Sequence, residues 1–120
     1  SSEGWFSSIS ESNCFAISRE QFLSLGGFDE RFVSPGGGLV NLDFFKCVVD
    51  AEPSEVCVLL GEGSFHQIHG GVATNVSMQN HPGQRFADEY QLIRGCTYSR
   101  PTYDPIYVGR LSQAARRFLS

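Results

Sequence analysis

Three short stretches of this chain carry side chains that could do chemistry. SFHQIHGGVATNVS places His66 and His69 three apart at the end of an apolar run, with two glycines straight after. GGFDERF sets Asp29 and Glu30 side by side between aromatics, and PGGGLVNLD brings Asn41 and Asp43 in behind a glycine triplet. Imidazole is a common ligand for divalent transition metals, and a carboxylate can hold a hard cation or accept a proton. Each stretch also has a plain structural reading. Residues three apart on a strand point to opposite faces, so His66 and His69 share an ion only where the chain bends between them. Asp29 and Glu30 can cap the next turn and answer Arg31. Asn41 is a natural helix N-cap.

The elements that must position these residues follow from the pattern around them. Asn13 to Ile17 is short and apolar and reads as a buried strand. Ser18 with Gln21 three later fits a capping box, opening a helix from about Arg19 to Leu25 that buries Phe22 and Leu23 or Leu25. Gly26-Gly27 stops it, because a left-handed residue after a helix costs glycine little. Phe28 to Val33 re-enters the core, and residues 35–38 make a glycine-rich loop. A second helix runs from an Asn41 N-cap to about Ala51, with apolar stripes at 42, 45, 49 and at 44, 48 that bury it on most sides. Val56 to Leu60 and Ser64 to Ile68 read as strands about a Gly61-Glu62-Gly63 turn. Pro82 suits the first turn of a third helix, reaching about Arg94, with Phe86, Tyr90 and Ile93 on one face and Gly95 as stop. Residues 96 to 109, interrupted by Pro101 and Pro105, read as extended packing, and Leu111 to Leu119 as a short amphipathic helix. The class is mixed α/β, with short strands and three to four helices.

Composition narrows the function. The 120 residues carry a net charge of −4, and no basic face advertises nucleic acid. The longest fully apolar run, Val56 to Leu60, is far short of the roughly 20 residues a membrane helix needs, so no transmembrane segment is expected. Cysteines at 14, 47, 57 and 96 form no CxxC and no cluster. Cys14, Cys47 and Cys57 lie in apolar stretches and read as reduced core thiols of a cytoplasmic protein. The chain opens SSEGWFSS, without an initiator Met, a basic n-region or an apolar h-region, which suggests one domain, residues 1–120, or a piece of one.

In order, these features are a short strand, a helix closed by GGFDERF, a glycine-rich loop, a helix with Asp43 in its first turn, and a strand ending in His69. Over about residues 13–75 this resembles the acceptor-side, C-terminal half of GT-A-fold glycosyltransferases of the family 2 and galactosyltransferase type; residues 80–120 would be a helical C-terminal extension. The resemblance implies a partial GT-A-like fold and transfer of a sugar from a nucleotide sugar to a glycan or other hydroxyl acceptor. In it, Asp29 and Glu30 belong to the turn under the acceptor, and Gly37 and Gly38 to a loop over the sugar. Asp43 matches the last acid of the family's Glu-Asp-x-Asp set, and His69 its C-terminal metal ligand, with His66 in a position that also contacts metal. The cofactor implied is Mn²⁺ or Mg²⁺ in a full-length protein, with none bound tightly by this chain alone.

Two departures bear on catalysis. Val40-Asn41 stands where the family has Glu-Asp, and Asn cannot take a proton at neutral pH, so the base of an inverting transferase would have to be Asp43 unless configuration is retained or the domain is not catalytic. No Asp-x-Asp occurs in the chain, so an N-terminal donor-binding half would be missing, and this chain alone would be inactive. A non-catalytic glycan-binding or assembly module of the same fold is the alternative. Membrane association through other regions of a longer protein and a homo-oligomer both stay open. A small metal-dependent hydrolase would need a third ligand that no spacing here supplies.

Overall fold

The computed structural model describes residues 14–51, 53–61, 71–73 and 76–116. Its elements are α1 (Arg19–Ser24), α2 (Val40–Asp50), β1 (Cys57–Leu60), α3 (Gly83–Arg94), β2 (Ile106–Gly109) and α4 (Gln113–Arg116), with 3-10 turns at Pro35–Gly37 and Met78–Asn80. The strand expected at 64–68 lies outside the described residues, as do His66 and His69. The class is mixed α/β: β1 and β2 form a two-stranded parallel sheet with Cys57 opposite Ile106 and Leu60 opposite Gly109.

The chain starts much as its caps dictate. Ser18 Oγ accepts from the Gln21 N–H at 3.1 Å, which opens α1. Gly26 and Gly27 both take positive φ and turn the chain back across it. The stretch before α1 is not a strand. Residues 15–18 take no regular secondary structure, and of these only Phe15 and Ile17 tuck part-way into the core. α2 begins two residues earlier than expected, because the Leu39 carbonyl already takes the first helical bond, from the Asp43 N–H at 2.8 Å. The cap position is therefore Leu39, with no side-chain cap, and Asn41 is an exposed residue of the first turn. Gly95, left-handed at φ 73°, closes α3 by donating to the Gln91 carbonyl.

The core is aromatic. Phe44 (1% exposed) and Phe45 of α2, Phe86 and Tyr90 of α3, and Phe32 between the two are its buried apolar members. Phe44 meets Phe15, Phe22 and Phe28 at ring-centroid distances of 5.9, 5.1 and 4.8 Å, and Tyr90 meets Phe32 at 6.0 Å and Tyr98 at 5.3 Å. Offset and edge-on pairs of this kind add to the burial of their area. They lock α1, the 28–33 segment, α2 and α3 to one another.

The 96–112 segment is not helical; it contributes β2, which the prolines at 101 and 105 precede without interrupting. Cys14 and Cys57 are exposed, not core thiols, and all four cysteines are free. Cys57 and Leu59 alternate with Val58 and Leu60 along β1 and lie on its exposed face. No described helix is long and apolar enough to cross a membrane.

Candidate functional site

Four charged residues from three parts of the chain meet at the edge of the aromatic core. Asp43, in the first turn of α2, is only 3% exposed. A carboxylate so buried needs a partner, since desolvation otherwise forces it to neutralise. That partner is Arg94 in the last turn of α3: Nε donates to Asp43 Oδ1 at 2.8 Å and Nη2 to Oδ2 at 2.6 Å. This is the two-pronged geometry in which a guanidinium binds a carboxylate best. The same Nη2 lies 3.0 Å from Asp29 Oδ2. Arg94 also stacks on Phe32, its Cζ 5.8 Å from the ring centroid.

Asp29 is held from its other side by Arg31. The Arg31 backbone N–H and Nε both donate to Oδ1 at 3.0 Å, and Nη2 donates to Oδ2 at 2.7 Å. Charge thus alternates along the row Asp43, Arg94, Asp29, Arg31. The hydrogen bonds from Arg31 hold the Asp29 carboxyl well below its ordinary value of 3.8, with Arg94 adding a smaller pull. The Arg94 guanidinium is raised, first by its bonds to Asp43. With two acids facing two guanidinia, the row carries no formal net charge.

This row borders a cleft of about 410 Å³ lined by residues 25–30, by Asp43 and Cys47 of α2, and by Arg94. The glycines of the α1 turn give it a backbone wall, Phe28 a half-exposed ring, and Glu30 an exposed carboxylate with no hydrogen-bond or ion-pair partner among the described residues. Burial pushes the Cys47 thiol up, so at neutral pH it is a thiol rather than a thiolate nucleophile.

The structure therefore gathers Asp29, Glu30 and Asp43 at one cleft. Asn41 does not line it, and neither do Gly37 and Gly38. The glycine loop packs on α3 instead: Glu89 Oε1 accepts from the Val33 N–H at 2.9 Å and from the Ser34 N–H at 2.7 Å. No sequence motif marks Arg94 or Glu89 as a site residue. The available signal was their position: in α3, residues 89 and 94 fall three and eight after Phe86, on the edge of the helix's apolar stripe, where a charged side chain needs a partner from the core side. Among the described residues no group of three or more His, Cys, Asp or Glu could hold a metal ion.

Compared with known proteins, the chain matches no family model, no curated protein and no solved structure.

Proposed function

We propose that this chain is the acceptor-side half of a GT-A-like glycosyltransferase, in which the cleft binds the sugar or other hydroxyl acceptor. One observation carries the reading: Asp29 and Glu30 of GGFDERF and Asp43 of α2, which the resemblance assigns separately to the acceptor side, line a single cleft. The cleft's chemistry suits a hydroxyl-rich ligand. Glu30 can accept from hydroxyls, the Arg94 guanidinium can donate to ring or hydroxyl oxygens, and the half-exposed face of Phe28 offers an apolar plane for a sugar ring.

The reaction would be attack of an acceptor hydroxyl on the anomeric carbon of a nucleotide sugar, with the diphosphate leaving. A divalent cation supplies neutralisation of that leaving group. In the resemblance His69 and His66 hold it together with acids from a donor-binding half; both histidines lie outside the described residues. Within this chain Asp43 is the carboxylate in line to accept the hydroxyl proton, but both its oxygens are bound by Arg94, so Arg94 would have to swing away first.

That commitment is the specific observation favouring the second reading, a glycan-binding module without catalysis. The two separate by experiment. The gene product extended to include an Asp-x-Asp donor half is assayed with Mn²⁺ and a panel of nucleotide sugars and glycan acceptors, beside the 120-residue chain. The first reading expects turnover by the extended protein only. Carbohydrate binding by both, with turnover by neither, supports the second.

A further inference from the structure

The buried end of Glu89 is an unexpected feature of α3. Oε1 accepts the two backbone N–H groups of Val33 and Ser34, whereas Oε2 is buried with no hydrogen-bond partner among the described residues. Oε2 lies against the glycine loop: a Cβ built on Gly38 would stand 2.6 Å from it, and 3.3 Å from Ser34 Cβ. The end of a glutamate normally moves aside from such an approach. Here the two bonds at Oε1 hold it, so the clash would fall on the clamp itself. Gly38 also has φ 55° and ψ −124°, a conformation that a residue with a Cβ strongly resists.

We propose that Glu89 is a positioning residue that clamps the 33–38 loop to α3 and sets the shape in which its three positive-φ glycines lead into α2. Arg94 grips Asp29 and Asp43 at the end of the same helix, so α3 fixes both sides of the 29–43 segment, cleft edge and loop, against a single rigid element. The clamp rests on this geometry alone and stands apart from the proposed function.

The test is backbone amide exchange by NMR on the 120-residue chain. In Glu89→Ala, the Val33 and Ser34 amides should exchange at least about tenfold faster, the loss expected for hydrogen bonds to a charged acceptor. The amides in the middle of α3 should stay within about threefold, because a local opening leaves the helix intact. Glu89→Gln keeps a carbonyl acceptor and should restore most of the protection. Where Glu89→Ala does not fold, Gly38→Ala serves: its Cβ displaces Oε2 and should speed the same two amides. Unchanged exchange at Val33 and Ser34, or acceleration matched throughout α3, overturns the clamp. A titration of wild type and Glu89→Gln with free disaccharides reads the function separately. If neither binds while the exchange pattern holds, the functional reading fails and the clamp stands.

Discussion

The cleft edge and the glycine loop are gripped by the same helix, little more than a turn apart, yet the grips differ in kind. At the cleft a guanidinium binds two carboxylates, one of them almost wholly buried. At the loop a carboxylate binds two backbone N–H groups, one on the exposed Val33. Removing the first partner strands a charge in the core. Removing the second frees amides that water can reach once the loop lifts. The same element should therefore dominate stability at one end and local order at the other.

The largest effect tests the cleft grip. Arg94→Ala leaves Asp43 buried and unpaired and should cost about 3–5 kcal/mol in denaturant unfolding. Arg94→Lys keeps the charge without the fork and should fall between that variant and wild type. A loss under about 1 kcal/mol for Arg94→Ala would mean that Asp43 finds another partner or water.

Glycine substitutions sharpen the comparison. Gly26 and Gly38 both have positive φ, but a Cβ on Gly26 meets nothing within 4 Å, whereas one on Gly38 meets Glu89 and Ser34. Gly26→Ala should cost about 1 kcal/mol from backbone strain alone, and Gly38→Ala about 2–3 kcal/mol. Equal costs would remove the clamp from the explanation.

Acid titration comes next. The folded-state value of Asp29 is depressed below 3.8, so its contribution is fully present above that value and fades as pH falls below it toward the folded value. Arg31→Ala removes the largest cause of the depression. Its unfolding free energy should therefore lie below wild type at neutral pH and converge on it in strong acid. A gap that persists unchanged into strong acid would show that Arg31 stabilises by packing instead.

The smallest effect belongs to Asn41→Asp. Asn41 is exposed in the first turn of α2, where a negative charge favours the helix dipole, so stability should change by less than about 1 kcal/mol.

Local chemistry made α1, α2, α3 and the Gly95 stop readable: capping serine, apolar stripe, left-handed glycine. The meeting of Asp29, Glu30 and Asp43 at one cleft is set by the packing of α2 and α3 around the 28–33 segment, which no single motif announces. What stayed hidden is non-local. Arg94 lies 51 residues from Asp43 in sequence, and Glu89 lies 55 from Ser34; nothing near either residue announces its partner. β2 was hidden the same way, since its pairing with β1 is parallel and distant, and two prolines just upstream discourage a strand assignment. The expected burial of Cys57 failed because an apolar run does not say which face of its strand the core will cover.

Amide chemical-shift mapping tests directly whether the proposed cleft binds carbohydrate, without knowledge of donor or acceptor. The ¹⁵N-labelled chain is titrated with free mono- and disaccharides, beside Glu30→Gln, which leaves the Asp43–Arg94–Asp29 row intact. The expected result is saturable shifts confined to residues 26–30, Asp43 and the Arg94 side chain, weakened in Glu30→Gln for at least one sugar. Shifts absent at every sugar up to its solubility, or scattered away from the cleft and indifferent to Glu30, would contradict the account.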